Sequence, residues 1–460
     1  MRIKLILYPT LHLLSRWRQP RLAARVLAMC VKPLPGHSLS NHGRAEFRIL
    51  TLNLNKPGFL EDIEESLLAD DAFEVVCWPN YVLKACASAI LAPQLNNKRY
   101  ASDDPKIDAS KRAYRDFLLA MWQRFQSIQR IDAVVSANFG YFAQREFGAA
   151  LKENGTPLIV LHKENVKSPA RLDYWRPIYR TRGRFEGSKI LVYNETERDL
   201  QAETDVADRA QIEVTGMPRL DRVHRWRRMH AGQRNDRAQQ VLFFSFWRKE
   251  KLTATERITD ARTRVDDADG DWAGLTWTGL CEGTHAAIVE LARQHPQTRV
   301  VVKTKGYSRR VQDILDILGD SKQELPPNLS VVSGGDPFPL ITDSDVVIGF
   351  NTTALLEAIA AGKPVIVPQF AEADDPRMQP LVIDVGPAVQ RATSSAELVR
   401  MVGEHLDAAS PLPAELPDSA MHALTYWVGN DDGCAGKRVR DAVRSEIGRT
   451  RREDKSAKRA

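Results

Sequence analysis

The segment SDVVIGFNTTALLEAIAAGKPVIVP, residues 344–368, carries the clearest structural pattern in the chain. An apolar run rich in Val and Ile predicts a buried strand, and Gly349 predicts a turn after it. Helix-forming residues follow, and a second apolar run, 364–370, predicts another strand. Strand, helix and strand in this order form the repeating unit of a parallel sheet that helices cover on both faces.

The same alternation extends through most of the chain on both sides of this segment. Apolar runs predict further strands at 3–8, 47–54, 73–78, 132–138, 157–163, 189–194, 212–216, 241–247, 299–305 and 329–334. Helical periodicity fills most of the intervals between these runs. We therefore predict an α/β fold with two parallel-sheet domains.

The chain length and one change in local composition suggest where the domains divide. A chain of 460 residues exceeds what one ordinary core accommodates, which favours two large domains. The charge-rich stretch 219–237 has no strand pattern and predicts a connector between domains. We place an N-terminal domain at 1–234 and a C-terminal domain at 235–445. We predict that 446–460 is a disordered basic tail, because its end, RTRREDKSAKRA, has no large apolar side chain to bury.

Composition indicates the broad class of protein. Hydrophobic residues make up 43% of the chain and charged residues 27%, which is typical of a globular protein with sizeable cores. No apolar run approaches the roughly 20 residues of a membrane helix, and residues 1–14 lack a signal-peptide cleavage pattern, so we predict a cytoplasmic protein. The five cysteines are scattered and form no C-x-x-C pair, which predicts reduced thiols and no structural zinc.

The net charge of +6 is unevenly distributed, because Lys and Arg concentrate in 1–48, 219–237 and 437–460. No nucleic-acid-binding motif accompanies them, so we expect no nucleic-acid partner. Within 11–32, Leu, Trp and Val share one side of a helix with Arg between them, as in an interfacial helix. Peripheral contact with the inner membrane leaflet and packing against the chain's own domain both explain this pattern, and both interpretations stay open.

The segment after Gly349 is the predicted binding site for a phosphorylated donor. Ligands of open parallel sheets bind beyond the carboxyl ends of the strands. Asn351, Thr352 and Thr353 begin the next helix, whose free N–H groups and dipole would hold a diphosphate. The simpler alternative is that one of them only caps the helix. Glu357 is an acidic residue in an otherwise apolar helix, and we predict that it binds a sugar hydroxyl.

Basic residues at other strand ends are further candidates for donor binding. Lys303 and Lys305 end a predicted strand, where they would hold the donor phosphates as charge builds on the leaving group. Arg248 also follows a strand and is a second candidate phosphate ligand. Solvated surface cations remain the alternative for all three. For Arg219 and Asp221 we predict a structural ion pair with each other.

Proton chemistry is predicted at the end of strand 157–163. A transfer reaction must remove a proton from the attacking hydroxyl, and a nearby imidazole or carboxylate suits that task. His162 and Glu164 would lie on one side of an extended strand and Lys163 on the other. The alternative is a polar triplet that ends the strand for solubility alone. We predict no metal requirement, because the helix terminus and the lysines would supply positive potential.

Several motifs together resemble a known superfamily. The pattern G-x-x-T-T-x-x-x-E-A-x-x-x-G-x-P-V-I-x-P, at 349–368, resembles the donor-domain signature of GT-B glycosyltransferases. VTGMPRLD at 214–221, VLFFSFWRKE at 241–250 and the segment 426–443 resemble parts of CDP-glycerol glycerophosphotransferases and similar surface-carbohydrate proteins. That family usually has K-P-H-P where this chain has Lys-Thr-Lys-Gly at 303–306. This departure favours sugar transfer over polyol-phosphate transfer.

The resemblance implies both an architecture and an activity. It implies a GT-B-like fold with two Rossmann-like domains that face a central cleft. The C-terminal domain would bind a nucleotide-sugar or CDP-polyol donor, and the N-terminal domain a glycan or a lipid-linked acceptor of surface polysaccharide (capsule) biosynthesis. No cofactor is implied beyond the nucleotide-activated donor, which is a substrate. Two alternatives stay open: a non-hydrolysing sugar-nucleotide epimerase, and a non-catalytic scaffold of capsule assembly.

Overall fold

The chain folds into two compact units in the computed structural model. The structure describes residues 2–35, 45–52, 54–97, 100–233, 237–248, 275–305, 308–318, 325–408 and 410–457. Unit 1 comprises Met1–Asn165, Trp175–Asp221 and Val428–Ala460, and unit 2 comprises Val166–Tyr174 and Arg222–Trp427. The chain therefore enters unit 2 earlier than the predicted boundary at 234 and returns to unit 1 before its end.

Helices and strands alternate in both units. The helices are α1 (Arg2–Arg16), α2 (Pro20–Ala28), α3 (Phe59–Glu65), α4 (Val82–Ile90), α5 (Pro105–Gln126), α6 (Phe142–Glu153), α7 (Pro169–Arg180), α8 (Glu195–Glu203), α9 (Leu220–His230), α10 (Thr278–Gln294), α11 (Ser308–Leu318), α12 (Phe338–Asp343), α13 (Ala354–Ala360), α14 (Ser395–Ala408), α15 (Asp418–Val428) and α16 (Ala435–Ala457). The strands are β1 (Lys32–Pro33), β2 (Phe47–Thr51), β3 (Phe73–Cys77), β4 (Ala133–Ser136), β5 (Leu158–Leu161), β6 (Lys189–Val192), β7 (Ile212–Val214), β8 (Gln240–Phe244), β9 (Arg299–Thr304), β10 (Leu329–Ser333), β11 (Val346–Gly349), β12 (Val365–Pro368) and β13 (Gln390–Ala392).

Unit 1 is built on a sheet whose described strands follow the order β1–β3–β2–β4–β5–β6–β7. All neighbours pair in parallel except β1, which runs antiparallel to β3. The central strands β4 and β5 are buried along their whole length, as expected for strands covered on both faces. The winding direction changes between β2 and β4, and crevices for ligands form at such a switch point.

Unit 2 is built on a parallel sheet with the order β10–β9–β8–β11–β12–β13. Renumbered within the unit, this is the 3-2-1-4-5-6 order of the Rossmann fold, with the switch point between β8 and β11. Both units are therefore parallel-sheet α/β structures, and the predicted fold class is confirmed.

The N-terminal prediction of a strand at 3–8 is wrong, because this segment belongs to α1. Leu7, Leu11 and Ser15 are buried at a spacing of four residues, which is the period of a helix face. These side chains lie on the side of α1 that packs against α4. No helix in the described parts of the chain is long and apolar enough to cross a membrane.

The C-terminal segment is also more ordered than its composition predicted. The helix α16 extends to Ala457 and so includes most of the stretch 446–460 that we predicted to be disordered. Val439, Val443 and Ile447 recur every four residues and pack into the core of unit 1. These three side chains bury one face of the helix. The more polar C-terminal part of the helix follows Ile447.

One carboxylate fixes the start of α16 to the rest of unit 1. Asp221 accepts hydrogen bonds from the backbone N–H groups of Ala435, at 3.1 Å, and Gly436, at 2.8 Å, and from the amide of Asn430, at 2.7 Å. Such a cap satisfies N–H groups that a helix leaves unpaired in its first turn. Arg219 instead pairs with Asp62, so the predicted Arg219–Asp221 ion pair is not formed.

We expect Asp221→Ala to lower the free energy of unfolding by about 3 kcal/mol, because three buried donors lose their acceptor. Urea denaturation measures this change. The matched control is Asp116→Ala, which removes an exposed carboxylate from α5 and should cost less than about 0.5 kcal/mol. Equal stability of the two variants would contradict the anchoring role of Asp221.

Candidate functional site

The carboxyl edge of the unit 2 sheet holds a cavity of about 200 Å³. It lies beyond the carboxyl ends of β11 and β12 and beside β13, on the side where parallel sheets bind ligands. Its lining residues are Phe350, Asn351, Leu355, Val367, Pro368, Gln369, Ala373, Gln379, Val382, Ile383, Asp384, Val385, Val389 and Arg391. An apolar wall with a few convergent polar groups is the usual composition of a small-molecule site.

The charged groups of this cavity are already paired with each other. Arg391 donates to Asp384 at 2.7 Å and to the carbonyl of Gly386 at 2.9 Å. The indole of Trp427 donates to the backbone carbonyl of Asp384 at 2.9 Å. The cavity therefore carries a compensated ion pair and the amides of Gln369 and Gln379.

Asn351 is the predicted donor-binding residue that lines the cavity. It has a φ of +53°, a left-handed conformation that Asn adopts more readily than most residues. Its side-chain amide donates to the carbonyl of Leu381 at 3.0 Å and accepts from the N–H of Ile383 at 3.1 Å. The side chain therefore holds the segment that forms one wall of the cavity.

The other residues of the predicted diphosphate cradle surround the start of α13. A Cβ at Gly349 would lie 3.0 Å from the side chain of Leu355 and 3.2 Å from Phe244, so the turn is tightly packed. The hydroxyl of Thr352 accepts weakly from the N–H of Ala354, at 3.4 Å, and Thr353 precedes the helix without a side-chain cap. Because α13 has only seven residues, its dipole is a weaker source of positive potential than we predicted.

Glu357 is buried, with 4% of its surface exposed, and is not among the residues that line the cavity. The contact with a sugar hydroxyl that we predicted for it stays a prediction. The sequence placed Glu357 correctly in the helix after the turn, but the side chain belongs to the packed interior of unit 2.

The predicted phosphate-binding cations are separate from this cavity. Lys303 is almost buried and donates to the carbonyl of Gly334. Burial lowers the pKa of Lys303, and the carboxylate of Asp336 acts in the opposite direction. Lys305 is exposed, and Arg248 forms an ion pair of 2.9 Å with Glu282. A role for the three cations in phosphate binding stays a prediction.

A serine and a histidine that the sequence did not suggest meet beside the switch point of unit 2. Ser245 directly follows β8, and its hydroxyl lies 2.9 Å from Nε2 of His285. The other ring nitrogen, Nδ1, lies 2.7 Å from the carbonyl of Cys281 and donates to it. Burial lowers the pKa of His285 to about 4, so the ring is neutral near pH 7 and its Nε2 accepts a hydrogen bond from the hydroxyl of Ser245.

His162 and Glu164 are placed differently from each other at the end of β5. His162 is fully buried, with Nε2 3.2 Å from the carboxylate of Glu197, which also accepts from Tyr179 at 2.9 Å. Glu164 is exposed. The predicted common side is therefore wrong, because the strand ends at Leu161 and the alternation of an extended chain stops there.

Basic side chains collect at the switch point of unit 1. Lys56, after β2, lies 5.1 Å from the ring centre of Tyr141, after β4. The ammonium of Lys163 donates to the carbonyl of Pro57 at 2.8 Å. Burial lowers the pKa of Lys163, while Glu164 opposes that effect. Two lysines, a tyrosine and an exposed carboxylate thus share the edge where ligands of parallel sheets bind.

Metal-binding side chains do not gather anywhere in the described ranges. No group of three or more His, Cys, Asp or Glu residues is arranged there to hold a metal ion.

Comparisons with known proteins find similarity among solved structures. No family model and no curated protein matches the chain. UDP-GlcNAc 2-epimerase from Neisseria meningitidis, solved with UDP-GlcNAc, is 11% identical with a TM-score of 0.47, over 87% of this chain and 100% of that one. The same enzyme from Methanocaldococcus jannaschii is 12% identical with a TM-score of 0.47, over 87% and 99%. HepE from Anabaena, solved with UDP and glucose, is 13% identical with a TM-score of 0.42, over 87% and 100%.

We expect His285 to make unit 2 less stable in acid. Its folded pKa, about 4, is lower than the ordinary value of 6.5, so the unfolded chain binds the proton first. The stability that the neutral ring provides is complete above about pH 6.5 and is lost as pH falls towards 4. Between pH 7 and pH 5 the free energy of unfolding should decrease by about 2 kcal/mol through this residue.

Urea denaturation at the two pH values tests this expectation. His285→Gln should remove most of the difference, because glutamine has no proton to gain. His422→Gln, at an exposed position of α15, is the control and should leave the difference unchanged. An unchanged pH dependence in His285→Gln would show that another group causes it.

Proposed function

We propose that the protein is an enzyme that acts on a nucleotide-activated sugar and binds the nucleotide in unit 2. The observation that carries this proposal is the cavity at the carboxyl edge of a sheet with Rossmann strand order. Its volume of about 200 Å³ suits one planar ring rather than a whole sugar nucleotide. The nucleobase would occupy the cavity, and the phosphates and the sugar would extend outward.

The lining residues support a role in base recognition. Phe350 and Val382 offer apolar surface to a ring, while Gln369 and Gln379 offer amides to its polar edge. Thr352 and Thr353 stand at the turn next to Asn351, where they and the backbone N–H groups would face the diphosphate. No cofactor is part of this proposal, since the nucleotide-activated donor is itself the substrate.

Unit 1 would hold the group that reacts with the sugar. Lys56 and Lys163 supply positive charge at its switch point, which suits an anionic or phosphate-linked acceptor. Glu164 is the exposed carboxylate there and is the better placed proton acceptor, because His162 is fully buried beside Glu197. Each of these roles is a proposal that mutation can test.

Two reactions fit an enzyme of this kind. The sequence motifs favour transfer of a sugar, or of a polyol phosphate, to a surface glycan or lipid-linked acceptor of capsule biosynthesis in the cytoplasm. The alternative is epimerisation of the sugar nucleotide. Two of the solved structures reported above are named as epimerases of this kind.

We expect one of UDP, CDP, GDP or CMP to raise the melting temperature of the full chain selectively. Val382→Phe places a ring in the cavity and should weaken that nucleotide at least about tenfold, because the ring and the base would compete for one space. Met421→Phe adds the same ring at an exposed position and should bind as the wild type does. The melting temperature without ligand shows whether each variant is folded. No response to any nucleotide would contradict the proposal and favour the scaffold alternative.

A reaction in D₂O distinguishes the two chemistries. Epimerisation removes a carbon-bound proton from the sugar and returns one from solvent, so NMR would detect deuterium on the sugar without an acceptor. Transfer leaves the carbon-bound protons in place and releases the nucleotide only when an acceptor is added. Glu164→Gln should slow whichever reaction occurs, whereas Glu153→Gln, in α6, is the control carboxylate.

A further inference from the structure

The N-terminal hairpin, formed by α1, α2 and the turn between them, has an unusual surface. Eleven large hydrophobic side chains are strongly exposed in the described part of the chain, and six of them lie within the first 29 residues. They are Leu5, Ile6, Leu13, Trp17, Leu22 and Met29. Ile6 is 71% exposed, Trp17 64% and Met29 84%. An exposed apolar patch of this kind marks a surface that binds another protein, a membrane or a ligand.

Helix α1 is apolar on two opposite sides. Leu7 and Leu11 are buried on the side that packs against α4 in unit 1. Leu5, Ile6 and Leu13 lie on the other side, at a spacing that also follows the helical period. A surface helix of a globular protein normally has one apolar stripe and one polar face. Packing within unit 1 therefore does not explain the outer apolar stripe of α1.

The turn between the helices holds both outer faces in place. Arg18 has a φ of +53°, its N–H bonds to the carbonyl of Ser15, and the N–H of Gln19 bonds to the carbonyl of Leu14. This pair of bonds is a Schellman motif, and α2 then begins at Pro20, a favoured first helical residue. The guanidinium of Arg18 also donates to the carbonyl of Ala113 at 2.7 Å, which ties the turn to α5.

The charge of this region has a single sign. The first 45 residues contain eight of the chain's 65 Lys and Arg and none of its 59 Asp and Glu, which leaves 57 basic and 59 acidic residues in the rest. Arg16, Arg21 and Arg25 are exposed among the apolar side chains. The basic character of the whole protein therefore comes from the N-terminal region.

We propose that the N-terminal hairpin docks on the surface of an anionic phospholipid bilayer. Leu, Ile, Trp and Met side chains would enter the boundary between headgroups and acyl chains, and the arginines would pair with lipid phosphates. A second copy of the chain fits less well, because a twofold interface would bring together two hairpins that each have six Lys and Arg and no Asp or Glu in their sequence. The hairpin lies outside the proposed nucleotide cavity, so this inference does not depend on the proposed function.

Sedimentation of the full chain with vesicles tests the proposal. We expect binding to vesicles of phosphatidylglycerol and phosphatidylcholine, weaker binding to phosphatidylcholine alone, and release as salt is raised. Ile6→Gln combined with Trp17→Gln removes apolar surface without adding charge, and Arg21→Glu combined with Arg25→Glu reverses charge without removing apolar surface. Each pair should weaken binding at least about tenfold.

Matched controls lie at exposed positions of unit 2. Met421→Gln and Arg293→Glu make the same kinds of change and should bind vesicles as the wild type does. The melting temperature and the nucleotide response of all variants should be unchanged, which separates this surface from the nucleotide site. Equal binding by wild type and both hairpin variants, or no binding to anionic vesicles, would overturn the proposal. So would analytical ultracentrifugation showing a dimer that the hairpin variants dissociate.

Discussion

The register of β8 between β9 and β11 determines where unit 2 can bind a ligand. Val241–Phe244 pair with Val300–Lys303 on one side and with Val346–Gly349 on the other, all in parallel. The chain winds from β8 through β9 to β10 on one side of the sheet and from β11 through β12 to β13 on the other. The segments after Phe244 and Gly349 then emerge at the same edge. Ser245 and Asn351 owe their positions to this constraint rather than to local sequence.

The fold was predictable wherever the apolar residues of a segment fitted the period of one type of element, either strand or helix, and only one packing partner was plausible for that element. The runs at 241–247 and 299–305 predicted β8 and β9 because a continuous apolar run suits a strand buried on both faces. The run at 3–8 is apolar at every position except Lys4, so it fits either period, and packing against α4 selects the helix. The charge of 219–237 hid the helix α9, whose buried Leu220 and Val223 are three residues apart.

The candidate site was predictable only in its local part. The turn after β11 was visible from residues 349–353, which are contiguous in sequence. Ser245 and His285 are 40 residues apart, and Arg391 reaches the cavity from a strand two positions along the sheet from β11. No spacing rule connects such pairs, because the sheet register that brings them together is set by the whole unit. The amphipathic N-terminal pattern was visible, but only burial shows which of its faces is outside.

Asn351 shows how a residue with a functional signature can act through structure. The side-chain amide of Asn351 donates to the carbonyl of Leu381 and accepts from the N–H of Ile383, and Ile383 lines the cavity together with Val382. Alanine would lose both bonds and would also disfavour the left-handed backbone. A ligand in the cavity would therefore depend on Asn351 even without touching it. Asn351 stabilises both the cavity wall and the turn after β11. A substitution at this position therefore changes the geometry of the site and the stability of its loop together.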